Sequence, residues 1–175
     1  MKSRLSLCHR PALIAIALLS AAPVRAQSPG MRVETHKLNE TVNHTATGSF
    51  EVKLTPQALE DAVADPLLSR LLIAKQFHGD LEASSKGQML SAGTAEKGSA
   101  GYVAIEKVSG TLDGKSGSFV LQHSGTMDRG EPELSVSVVP DSGTDELAGI
   151  SGTMSIDVSG GAHAYTFRYK LPLKR

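Results

Sequence analysis

The sequence predicts an all-β fold, an antiparallel β-barrel of about eight strands with one short helix. Three observations carry that expectation. Apolar and polar residues alternate with period two in one segment after another between Thr45 and Leu171. Short clusters of turn-forming residues separate the segments, and Asp113-Gly114 and Gly160-Gly161 fit two-residue hairpin loops. A run of neighbouring strands this long escapes exposed edges only if the sheet closes on itself. A two-sheet sandwich gives the same strand signals and is the competing architecture.

The chain begins with a segment unlike the rest. Lys2, Arg4, His9 and Arg10 form a positive head, residues 12–22 are an apolar run, and Val24-Arg25-Ala26 offers small residues at cleavage spacing. Residues 1–26 therefore read as a secretory signal peptide, and Gln27 as the first mature residue. An uncleaved anchor is the alternative, but it needs about 20 apolar residues. The expected product is exported, periplasmic or secreted, with no stable membrane insertion once the signal is removed.

Cleavage removes Lys2, Arg4, Arg10 and Arg25 and no acid, so 18 basic residues become 14 against 18 acidic ones, a net charge of −4. With no Trp and only 4 Phe and 3 Tyr, the chain has neither the basic face nor the stacking rings of a nucleic-acid binder. Cys8 leaves with the signal, so the mature chain has no disulfide and must be held by core burial.

Residues 27–44 are polar and aperiodic, contain Pro29 and Gly30, and read as a flexible leader into one barrel domain over residues 45–172. Residues 45–54 alternate, with Phe50, Val52 and Leu54 on one side and Ser49, Glu51 and Lys53 on the other. Thr55-Pro56 resembles a helix N-cap followed by proline, and Leu59 and Val63 are four apart, which predicts the short helix before Asp65-Pro66. Residues 69–84 return to period two. Leu71, Ile73, Phe77 and Leu81 face one way with Lys75 as an interruption, and Gln76, His78, Asp80 and Glu82 face the other. Ser85-Lys86-Gly87 is the expected turn, with a return strand over residues 88–96.

Residues 100–112 and 115–127 form the clearest hairpin. A type I′ turn at Asp113-Gly114 places Leu112 opposite Lys115, Ala104 opposite His123 and Glu106 opposite Leu121. One face then carries Tyr102, Ala104, Glu106, Val108, Phe119, Leu121, His123 and Met127, with Glu106 and His123 as diagonal neighbours. A bulge at Lys115-Ser116-Gly117 would shift this register and separate the two. The other face has Val103, Ile105 and Val120 among Lys107, Gln122 and Ser124, a surface compatible with a homodimer. Residues 133–139 are a further strand, closed by a turn at Pro140-Asp141-Ser142-Gly143. The last hairpin, residues 147–158 and 162–171, pairs Val158 with His163, Ile156 with Tyr165, Met154 with Phe167 and Ile150 with Leu171. Its outer face of Ser151, Thr153, Ser155, Asp157, Thr166, Arg168 and Lys170 supports the same register.

The inward faces bring together the candidate ligand-binding residues Tyr102, Glu106, Phe119, Leu121, His123, His163, Tyr165 and Tyr169. An apolar interior with few polar groups is the usual form of a small-ligand site. Glu106 beside His123 is also the candidate acid and base pair, provided both reach one bound atom. Against both stands a filled core in which these groups satisfy one another. His78, Asp80 and Glu82 alternate on one face but need further ligands from elsewhere, so no metal is assigned. Ser142 lies in a turn and not in a Gly-x-Ser-x-Gly elbow, and no glycine-rich phosphate loop precedes a helix. No cofactor is expected.

Several stretches resemble a bacterial family known as domain of unknown function 3224. They are Phe77-His78-Gly79-Asp80-Leu81, residues 100–108 (AGYVAIEKV), residues 117–123 (GSFVLQH) and Val139-Pro140-Asp141-Ser142-Gly143-Thr144, in that order. The resemblance spans residues 45–172 and implies a small barrel similar to that of plant allene oxide cyclase, with no settled activity. Catalytic residues of that enzyme do not map onto positions here, and a shared fold does not license its chemistry. Three classes of function remain. A binding module would sequester a small apolar or amphipathic molecule. A cofactor-free isomerase, cyclase or lyase would lose turnover but not folding on Glu106→Gln. A structural protein would have a solid core and a partner on the outer hairpin face.

Overall fold

The computed structural model describes residues 41–60 and 65–173. The expected signal peptide, residues 27–40 of the leader and residues 61–64 of the expected helix lie outside the described residues. Eight strands are present: β1 (Thr41–Gln57), β2 (Leu68–Gly79), β3 (Leu81–Gly93), β4 (Ala100–Leu112), β5 (Lys115–Asp128), β6 (Glu131–Val138), β7 (Ser151–Asp157) and β8 (His163–Pro172). Each pairs antiparallel with the next, and β8 pairs back onto β1, so the sheet is a closed barrel and not a sandwich.

Period-two alternation decides what the barrel encloses. Ala46 and Phe50 of β1, Phe77 of β2, Leu81 of β3, Val108 and Leu112 of β4, and Phe119 and Leu121 of β5 are buried, with Met154 of β7 and Tyr165, Phe167 and Tyr169 of β8. The β4–β5 hairpin has the expected register, with Leu112 opposite Lys115, Ala104 opposite His123 and Glu106 opposite Leu121. Its turn residues have φ of 47° (Asp113) and 75° (Gly114), as a type I′ loop requires. The β7–β8 ladder also keeps its register, pairing Ile156 with Tyr165 and Met154 with Phe167. It is shorter than expected: Ile150 precedes β7, and Val158 follows it with 61% of its surface exposed.

Four local expectations are corrected. The break between β2 and β3 falls at Gly79-Asp80, and Ser85-Lys86-Gly87 lies in mid-strand. Gly79 takes φ +108°, and the Asp80 carboxylate accepts the Thr47 N–H at 2.7 Å and its hydroxyl at 3.1 Å. Gly87 is needed for close approach and not for a turn, because a Cβ there would meet the Ile105 carbonyl oxygen at 2.4 Å. Asp80→Ala should therefore lower stability by about 1–3 kcal/mol, read as a shifted urea midpoint at unchanged m-value.

Thr55 and Pro56 belong to β1 and do not open a helix. β1 pairs with β8 only as far as Phe50–His163, so beyond that point it is an edge, where a proline without an N–H is tolerated. At its other end β1 begins at Thr41, so Thr41 to His44 belong to the barrel, paired with β8 from Thr41–Pro172 to His44–Tyr169.

Residues 139–150 do not run straight from a turn into the expected strand at 147 but cross from β6 to β7 through a 3-10 turn at Asp145–Leu147. This segment covers the part of β5 that β6 leaves bare. Val139 N–H donates to the Val120 carbonyl at 2.9 Å and Thr144 N–H to that of Ser118 at 2.9 Å. The Ser142 and Thr144 hydroxyls accept the N–H groups of Val120 and Ser118, each at 3.0 Å, and Glu146 accepts that of Ser116 at 2.9 Å. Side chains here do what a paired strand does elsewhere. Leu147 and Ile150 are buried beneath them. By contrast, β6 and β7 share a single registered pair, Ser137 with Thr153.

The interior is filled at the end nearest this crossover. Phe119 stacks on Phe167 at 5.5 Å between centroids, Phe167 on Tyr169 at 5.3 Å, and Tyr169 on His44 at 4.9 Å. The Tyr165 hydroxyl accepts the Leu81 N–H at 2.9 Å, and the Tyr169 hydroxyl donates to Asp113. Burial first, and then the hydrogen bond to Asp113, push the Tyr169 phenol above its ordinary value.

Candidate functional site

At the opposite end the interior turns polar around one ion pair. Lys75 is the charged residue that interrupts the apolar face of β2, and the strand's period carries it inward between Ile73 and Phe77. Its Nζ lies 2.8 Å from Glu106 Oε2, with side-chain exposures of 7% and 0%. The ammonium also sits 4.7 Å from the Phe50 ring centroid and 5.6 Å from that of Phe77. His123 of β5 brings Nε2 to 3.2 Å from the same Glu106 oxygen. Glu106 Oε1 has no hydrogen-bonding partner. Gly87 lies opposite Glu106 on β3, and the missing Cβ makes room for the Glu106 side chain.

Burial alone would push the Glu106 carboxyl up. The neighbouring His123 ring, the Lys75 ammonium and the Ser85 hydroxyl outweigh burial and hold it at about 2, against an ordinary 4.5. A carboxyl held down by folding contributes stability that is full above pH 4.5 and is lost as the pH falls towards about 2. Acid titration of the unfolding midpoint should show that loss in the wild type, and not in a variant lacking both Lys75 and Glu106. The Tyr102 phenol is pushed up, first by its burial and then by the Glu106 charge.

Above the ion pair lies a cavity of about 340 Å³. Its walls are Phe50, Val52, Leu54, Ile73, Met89, Leu134, Ile156 and Val158, and its polar lining is Lys75, Tyr102, His123 and His163. Gly125, opposite Tyr102, leaves space that the tyrosine ring occupies, since a Cβ there would meet that ring at 2.3 Å.

The sequence-derived candidates therefore divide. Glu106 and His123 do meet, and Tyr102, His123 and His163 line the cavity. Glu106 sits behind the lining, 0% exposed. Phe119, Leu121, Tyr165 and Tyr169 are packed in the core, and the last two are held by Leu81 and Asp113. Lys75 is the residue sequence reasoning passed over; the signal was there, as the one charge on an otherwise apolar strand face. His78 Nδ1 is 3.5 Å from Glu82 Oε2, while Asp80 binds Thr47. Among the described residues, no group of three or more His, Cys, Asp or Glu is placed to hold a metal.

Residues 46–169 match the family described as "Protein of unknown function (DUF3224)". This chain belongs to the DUF3224 family. A DUF3224 protein of unknown function from Shewanella oneidensis MR-1, known from a crystal structure, is similar to it at 48% identity with a TM-score of 0.70. The match covers 77% of this chain and 100% of that one. No curated protein matches the sequence significantly. The DUF3224 barrel thus extends through both halves of the interior, the packed end and the end with the cavity.

Proposed function

We propose that this DUF3224 protein is exported and binds a small, mostly apolar molecule in the cavity above Lys75. The observation that carries the reading is a space of about 340 Å³ with apolar walls and a few polar groups at one end. That volume is at the small end of the range for ligand pockets, and this division of lining is their usual form. The aromatic stack at the other end already supplies a packed core, so the cavity is not where the fold draws its stability. The signal-peptide pattern of residues 1–26 supports export.

The test is native mass spectrometry of the protein purified gently from its exporting host, compared with the denatured and extracted sample. A stoichiometric extra mass that disappears on extraction is the expected result. A clean mass, with no uptake of added apolar molecules, would return the barrel to the filled-core reading.

A second reading, cofactor-free proton transfer, is favoured by one contact, the Glu106–His123 approach at 3.2 Å. In that reading His123 faces the bound molecule and Glu106 supports the imidazole from behind. On the outside, Leu90, Val103 and Ile105 are 55%, 55% and 52% exposed on adjacent strands, which supports self-association through the β3–β5 face. Sedimentation as a monomer at high concentration would remove that reading.

A further inference from the structure

We propose that the polar end of the bound molecule is an uncharged hydrogen-bond acceptor, a ketone, ester or lactone carbonyl, and that Lys75 is the residue that receives it. This rests on the cavity reading above and specifies its chemistry.

The polar side chains lining the cavity are Lys75, Tyr102, His123 and His163, and each offers an N–H or O–H. No carboxylate joins them, because Glu106 lies behind the lining. An ammonium has three N–H groups and no acceptor. Glu106 Oε2 takes one of those on Lys75, and the rings of Phe50 and Phe77 cannot accept as an oxygen does. Donor capacity is therefore left over at a residue that borders the cavity. His123 borders it too, with its Nε2 turned to Glu106 Oε2 at 3.2 Å.

Charge then selects the kind of acceptor. The Lys75 ammonium is already balanced by Glu106 at 2.8 Å, where the two side chains are 7% and 0% exposed. A carboxylate ligand would bring a second anion to the same ammonium, and two carboxylates close together oppose one another's ionisation. A cationic ligand would meet the ammonium, with its counter-charge hidden behind it. A carbonyl oxygen accepts the spare N–H and leaves the balance unchanged, and a charge-assisted bond of that kind is stronger than a neutral one.

The experiment uses the purified protein, isotopically labelled, titrated with 2-octanone, octanoate and octylammonium at neutral pH. The readout is the backbone amide shifts of Lys75, Tyr102, His123 and His163. The expected result is saturable binding of 2-octanone at least about tenfold tighter than either charged molecule, reduced about tenfold by Lys75→Met. Octanoate or octylammonium binding as tightly as the ketone would overturn the head-group assignment and leave the cavity reading standing. No shift with any of the three would overturn the cavity reading itself. If Lys75→Met does not fold, the variant Lys75→Met with Glu106→Leu removes both charges, and an undiminished ketone preference in it would overturn the role of Lys75.

Discussion

Replacing Glu106 with alanine should lower folding stability by about 3–5 kcal/mol, because it strands the Lys75 ammonium in the barrel without its counter-charge. Lys75→Met should be damaging for the mirror-image reason, leaving a carboxylate that is 0% exposed without its partner at 2.8 Å. Losing both at once, as Lys75→Met with Glu106→Leu, should recover most of either loss, since an apolar pair of similar volume needs no charge to be desolvated. Urea unfolding of the wild type, Lys75→Met, Glu106→Leu and the double variant closes the cycle and gives the coupling directly. A single-variant loss below about 1 kcal/mol would mean that water reaching the open end solvates the pair. The same geometry changes what Glu106→Gln can show: the pairing makes it a stability variant before it is a test of turnover.

Phe167→Ala should produce a loss of similar size, about 3–5 kcal/mol, from a different cause. The ring is 0% exposed and lies between Phe119 and Tyr169, at 5.5 and 5.3 Å. Its removal leaves a void beside Tyr169, whose ring is held by Asp113 and His44. Ile156→Ala is the matched control. Ile156 is only partly buried and borders the cavity, so fewer of its contacts are with protein, and its loss should be less than half as large. Equal losses at the two positions would contradict the division of the interior into a packed end and an open one.

What the sequence made legible was set by how local each determinant is. The β4–β5 register was readable because two signals agree, an Asp-Gly turn and a face on which Tyr102, Ala104, Val108, Phe119 and Leu121 all point inward. That register alone brought Glu106 to His123. The β2–β3 turn was not readable because Phe77 and Leu81 flank it at an even spacing and both face inward, so period two runs straight through Gly79 and Asp80. The function of Asp80 depends on Thr47, 33 residues away. Lys75 is the same case: its partner is 31 residues distant, and without that partner a lysine on an apolar face reads as a break in the pattern. The crossover over residues 139–150 hid its role because Ser142, Thr144 and Glu146 bond to a strand more than 20 residues earlier.

The short meeting of β6 and β7 has a kinetic consequence. A closed ring of strands opens first at the junction with the fewest backbone bonds, and here that junction is the pair Ser137–Thr153, against a β5–β6 ladder running from Leu121–Val138 to Asp128–Glu131. Hydrogen exchange at the edge of β6 that faces β7 should therefore proceed through a local opening, at a rate almost insensitive to low concentrations of denaturant. The amides of β4 and β5 should exchange only with global unfolding. Leu134 of β6 and Ile156 of β7 both border the cavity, so each such opening would unlatch its side wall.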